Sequence, residues 1–224
     1  MILVFASSKG GVGKSTSCAA IGAALALRGD RVLIMDLDPN KTLVRWSKKA
    51  SVAGLKIDSV PSEKFVAAFQ AAKDGRRYDH ILIDVMGGRE VTMIKALGRA
   101  DLVVIPAQPS EPDIREALVV VSDVEDMGEG RGGRIPYKVL LTKLYPLRTK
   151  VTDHAYAELA RQKIPVFKTA LVERTAYREM FLTGEPVSSI DRKGAGSEVA
   201  SLVDEIEVML KVKQKSTRKA KEFA

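Results

Sequence analysis

The sequence predicts an α/β fold, a doubly wound and mostly parallel sheet with helices on both faces. Three observations predict it. Short apolar runs alternate with longer stretches of helical periodicity along all 224 residues. Several of these runs are apolar at nearly every position, the pattern of strands buried on both faces of a parallel sheet. A glycine-rich loop, residues 9–16, lies directly between the first apolar run and the first helical stretch. Right-handed β-α-β crossovers in such a sheet place a ligand at the carboxyl ends of the strands.

In chain order, strands are expected at residues 2–6, 31–35, 80–84, 102–106 and 138–142, with weaker ones near 55–57 and 166–167. Helices are expected at 14–28, 63–73, 91–97, 114–126 and 152–162. A last long helix over 197–212 aligns Val199, Leu202, Val203, Ile206 and Met209 on one face, a stripe suited to core packing. Gly128, Gly130, Gly132 and Gly133 read together as a surface loop. Residues 1–210 form one expected domain, followed by a basic C-terminal tail at 211–224 whose order the sequence leaves open. At 46% hydrophobic, the chain is long enough for one sizeable core.

Composition removes several classes of function. No apolar stretch approaches the length of a membrane span, and the chain enters a strand at once with no leader-like segment. Cys18 stands alone, which argues against disulfides and cysteine-based metal or iron–sulfur sites. With His80 and His154 the only histidines, a Ser-His-Asp triad is equally unsupported. These features together indicate the cytoplasm. The net charge is +8, of which the tail contributes +5. That excess suits an acidic partner such as nucleic acid, and equally a solvated chain end.

Residues 9–16 read Lys-Gly-Gly-Val-Gly-Lys-Ser-Thr. Gly10, Gly11 and Gly13 let the backbone curl so that successive N–H groups meet phosphate oxygens. The following helix adds the positive end of its dipole. Gly10, Gly11, Val12, Gly13, Lys14, Ser15 and Thr16 thus form a candidate nucleotide cradle. Lys14 supplies a charge to the β/γ-phosphates and the Ser15 hydroxyl a ligand for Mg²⁺. The ordinary spacing G-x-x-x-x-G-K-[ST] is not met, because Ser8 occupies the first glycine position and an extra lysine, Lys9, precedes the glycine pair.

Two further segments complete the candidate site. Asp36 and Asp38 leave the second strand two residues apart, with Pro39 stopping regular structure. His80-Ile81-Leu82-Ile83-Asp84 has the Walker B form, apolar residues that bury and a carboxylate at the exposed end. Asp84 would hold Mg²⁺, through a coordinated water. The glycine-bearing segment after it is flexible enough to move with a γ-phosphate.

These residues resemble the deviant-Walker-A ATPases of the ParA/MinD superfamily, with the small ParF-like partition proteins the nearest type. DLDPN with Thr42-Leu43 and Trp46-Ser47 resembles their switch I. Residues 102–114 resemble their proline-bearing nucleotide-side loop. Phe167 to Ala170, Arg174, Tyr177, Gly184 and Val187 resemble their late segment. The resemblance implies a Mg²⁺-dependent ATPase of slow turnover that dimerises around two ATP molecules, with Lys9 reaching the partner's phosphates. It implies that Asp38 orients or activates the attacking water and that Asp36 supports the Mg²⁺ region. Non-specific DNA, a centromere-binding or cargo adaptor and nucleoid association are implied as well. Lys168, Arg174 and Arg178 are candidate DNA contacts by placement, with residues 211–221 an alternative.

Asn40 stands where such proteins often carry Gln, and Met86-Gly87-Gly88 where prolines are frequent. The same residues fit nucleoid positioning of a protein cargo. They also fit an accessory factor in conjugative DNA transfer, towards which the glycine pair leans. A membrane-surface switch of the MinD type would need bulky apolar residues in a terminal helix, and the tail offers Phe223 alone. A metabolic P-loop enzyme would show a small-molecule acceptor and no response to DNA.

Overall fold

The computed structural model describes every residue except Arg89, Phe223 and Ala224, and describes side chains as far as Lys211. Its elements are β1 (Ile2–Phe5), α1 (Lys14–Leu27), β2 (Val32–Asp36), α2 (Thr42–Ser47), β3 (Leu55–Ser59), α3 (Phe65–Asp74) and β4 (His80–Asp84). They continue with α4 (Val91–Leu97), β5 (Leu102–Ala107), α5 (Glu111–Gly130), β6 (Tyr137–Leu144), α6 (Lys150–Arg161) and β7 (Leu171–Val172). Three helices close the chain, α7 (Ala176–Thr183), α8 (Val187–Ile190) and α9 (Ala195–Glu222).

The seven strands form one sheet in the order β3-β2-β4-β1-β5-β6-β7, with every pairing parallel. Every residue of β2 and β5 is buried, so these strands cannot alternate apolar and polar positions. Their side chains instead alternate between two cores. Leu3, Phe5, Val32 and Ile34 pack with α1, α2, α7, α8 and α9. Val4, Leu33, Met35 and Val103 pack with α3, α4, α5 and α6. The doubly wound arrangement expected from the apolar runs is thus present.

Local rules explain where helices begin. Ser110 accepts the Asp113 N–H at 3.2 Å and donates its hydroxyl to the Asp113 carboxylate, a reciprocal cap that starts α5 ahead of the expected residue 114. Thr149 caps α6 in the same way through the Thr152 N–H. Cys18 is fully buried in α1, and burial pushes its thiol well above the usual range, which makes it an inert core residue.

Two sequence expectations require correction. Gly128 and Gly130 lie inside α5, because the amphipathic stripe Ile114, Ala117, Val121 and Val124 carries the helix past them to the turn at Gly132. Val166 makes only an isolated bridge to Val139, and the seventh strand is Leu171–Val172. Helix α9 continues through residue 211 to Glu222, while the side chains of the basic tail beyond Lys211 lie outside the described residues. No helix among the described residues is long and apolar enough to cross a membrane.

Candidate nucleotide site

The sheet order brings β2, β4 and β1 side by side, so their carboxyl ends meet at one edge. Asp36 is level with Asp84 across β2 and β4, and Asp84 with Phe5 across β4 and β1. The loop leaving Phe5 therefore passes directly in front of both carboxylates. Gly13 closes that loop at φ +91°, a left-handed conformation that glycine adopts without strain, and α1 starts at Lys14.

Lys14 is buried, and its Nζ donates to the Lys9 carbonyl at 3.0 Å across the loop. Burial lowers its pKa, opposed by the carboxylates of Asp84 and Asp38. Asp84 is fully buried, and neither carboxylate oxygen has a hydrogen bond of full geometry among the described residues. Burial pushes its pKa up to about 7, while the neighbouring Ser15 hydroxyl and Lys14 pull it down.

Asp36 is engaged differently. One of its oxygens accepts the Asp38 N–H at 3.1 Å. The other accepts the N–H groups of Leu43 and Val44 at 3.1 and 3.2 Å, at the start of α2. Burial raises its pKa, and those three bonds oppose the rise. Asp38 holds a tight turn, accepting the Asn40 N–H at 2.8 Å on its carboxylate, with its backbone carbonyl bonded to the Lys41 N–H. Asp36 thus braces the turn that carries Asp38, and the Asp38 carboxylate lies close enough to Lys14 to oppose the lowering of its pKa.

Lys9 extends from the loop mouth with its side chain about half exposed, and its Nζ lies 2.8 Å from Asp113. Gly87 packs directly against the loop. A Cβ there would lie 3.2 Å from the Gly10 nitrogen and the Lys14 Nζ, so the glycine permits the close approach.

Beyond Gly13 the loop opens into a cleft of about 410 Å³, walled by Thr142, Lys143, Leu171, Arg174, Tyr177 and Phe181 among others. That volume suits a nucleoside. Carboxylates on α9 hold the wall in place. Glu205 accepts the N–H groups of Lys168 and Thr169, and Glu198 accepts from the Val172 N–H, the Arg174 guanidinium and the Tyr177 hydroxyl. On the other side, Trp46 of α2 is buried and donates its indole N–H to the Met180 carbonyl of α7 at 2.9 Å. Helix α2, the cleft wall and the C-terminal helix are therefore one packed unit.

Arg174 and Arg178, two of the three basic residues singled out in the sequence, line the cleft beside Gly13. Arg174 is half-buried on Glu198, Arg178 is paired with Glu173, and the exposed Lys168 is tied by its backbone to Glu205. The sequence reading missed Thr142, Lys143 and Asp113. The Ser110-x-x-Asp113 capping pattern could have revealed Asp113, whereas no local signal marks the other two.

A family model described as the VirC1 protein matches residues 1–187. The chain belongs to the VirC1 family. Protein ParA of Rhizobium radiobacter is 28% identical over 200 residues, which cover 86% of this chain and 87% of that protein. Protein virC1 of the same species is 28% identical over 184 residues, covering 80% and 79%. Among solved structures, the septum site-determining protein MinD of Pyrococcus horikoshii OT3, complexed with Mg-ADP, matches with a TM-score of 0.71. The identity is 19%, over 95% of this chain and 98% of that one. This VirC1-family chain is accordingly a P-loop ATPase-type protein of the ParA/MinD superfamily, the group of partition and positioning ATPases.

Proposed function

We propose that this protein is an ATP-driven dimerising switch that binds DNA non-specifically and partitions or positions plasmid or chromosome cargo, with an adaptor stimulating hydrolysis. The observation that carries this reading is the meeting of Lys14, Asp36, Asp38 and Asp84 around one loop, with Lys9 at its mouth. The N–H groups of residues 10–16 take the phosphates, and the cleft beside Gly13 takes the nucleoside. A buried carboxylate without a full partner beside a serine hydroxyl is a donor set that fits Mg²⁺, which prefers one or two protein oxygens together with phosphates. Ser15 and Asp84 would hold the ion, and Asp36 acts by positioning its neighbours. When bound, such an ion would neutralise charge on the phosphate oxygens.

Asp38 orients a water for in-line attack on the γ-phosphorus. A new P–O bond forms, the bond to the ADP oxygen breaks, and the water's proton leaves through the carboxylate or solvent. Lys9 can leave Asp113 for the phosphates of a second copy, because its side chain is already half in solvent. Asp38→Ala is expected to bind ATP, lose turnover by on the order of a hundredfold, and accumulate as a dimer in light scattering. Normal turnover in that variant overturns the assignment.

Retention of non-specific duplex DNA is expected with ATP, not with ADP, and is expected to vanish as salt rises. A gel shift with ATP, ADP and no nucleotide tests the whole reading, and identical behaviour in all three overturns it. A cytoplasmic, nucleoid-associated location follows from the same reading.

A further inference from the structure

Lys143 stands apart from every residue that the sequence marks for the site. It lies in β6 at φ +53°, a conformation that side-chain-bearing residues avoid. The pairing of β6 with β7 shifts at this point: Thr142 pairs with Leu171 and Leu144 with Val172, which leaves Lys143 as the extra residue of a bulge. The bulge aims its side chain at the phosphate loop, where Nζ donates to the Gly11 carbonyl at 2.8 Å. The preceding residue, Thr142, donates its hydroxyl to the Val12 carbonyl at 2.7 Å.

Two consecutive carbonyls of the loop are thus drawn towards β6. In a trans peptide the carbonyl of one residue and the N–H of the next point in opposite directions. Holding the Gly11 and Val12 carbonyls therefore turns the N–H groups of Val12 and Gly13 away from β6, towards the face that receives phosphate. A glycine-rich loop lacks side chains to fix those planes itself, so the tether must come from outside it.

We propose that Lys143 is a positioning residue of the nucleotide site. It presets the amide array of the phosphate loop, and its aliphatic stem walls the adjoining cleft. The proposal rests on the nucleotide-binding reading above and adds a third lysine to Lys9 and Lys14, with a different task. Lys9 and Lys14 bring charge to phosphate, whereas Lys143 spends its ammonium on a carbonyl.

The test uses Lys143→Met, which keeps the stem and removes the donor, together with Lys143→Arg, which restores a donor. Lys143→Gly serves as a control that relieves the positive φ and so spares the fold. Lys143→Met is expected to weaken ATP and inorganic tripolyphosphate alike by about tenfold, the effect of one lost charge-assisted bond. Lys143→Gly is expected to weaken both at least as much while melting no lower than wild type, and Lys143→Arg to recover most of the affinity.

In ¹⁵N spectra recorded without nucleotide, the Val12 and Gly13 amide peaks are expected to move in Lys143→Met and return in Lys143→Arg. Wild-type affinity in Lys143→Met, or unmoved Val12 and Gly13 peaks, overturns the proposal. Failure of the wild-type protein to bind ATP would instead overturn the nucleotide reading, and the amide peaks still decide the loop's geometry independently.

Discussion

Lys14→Ala is expected to lose nucleotide binding and keep its fold. The ammonium is buried at the centre of the loop, where it donates to the Lys9 carbonyl and faces the carboxylates of Asp84 and Asp38. A buried cation that meets a triphosphate acts in a low dielectric, and truncating one member of such a pair costs about 3 kcal/mol or more, on the order of a hundredfold in Kd. The fold survives because the partner charge can be discharged. Lys14 holds the Asp84 pKa down, so without the lysine Asp84 takes up a proton and no bare buried charge remains. Titration followed by Trp46, the single tryptophan, checks this, because its indole bonds to α7 at the cleft wall. Wild-type affinity in Lys14→Ala would remove the phosphate-loop assignment.

The parts of the site that lie next to one another in the chain were readable from it. Gly13 and Lys14 are placed by a strand-to-helix turn, and Asp36 and Asp84 by apolar runs that end in a carboxylate. Because β2, β4 and β1 are parallel neighbours, strand ends in the sequence become one edge in space. Contacts between distant segments were not readable. Lys143 and Gly11 are 132 positions apart, and an exposed lysine after an apolar strand looks like a solubilising one.

Arg174 shows the same limit: its type and position suit a polyanion, and its ion pair with Glu198 on a later helix has no signal in the local sequence. Helix α2 escaped notice because it spans only six residues, and Asp36, from the preceding strand, supplies its cap. Gly128 and Gly130 suggested a loop on propensity alone, which the burial of the preceding apolar stripe outweighs.

Asp84→Asn is expected to make the Mg²⁺-free protein more stable while removing its activity. Both carboxylate oxygens are buried without a full hydrogen bond, so the ionised form is held in the fold at a cost. The folded protein retains this proton up to about pH 7, whereas the unfolded chain releases it near the ordinary value of 3.8. Between those values the folded state binds more protons than the unfolded state. The Asp84 contribution is therefore fully present at low pH and is lost as pH rises through about 7.

The amide of Asn has no charge to desolvate, so the variant should flatten that decline and gain about 1–2 kcal/mol at pH 8. It also removes the carboxylate proposed to hold Mg²⁺, and turnover should fall on the order of a hundredfold with loss of the Mg²⁺ dependence. Melting curves from pH 4 to pH 8 in the presence of a chelator measure the first effect, and phosphate release with and without Mg²⁺ the second. A variant no more stable than wild type at pH 8 would mean that Asp84 is satisfied within the fold. A carboxylate kept at a cost to the fold is instead one held for an ion, and the pH slope of the wild-type melting temperature separates the two.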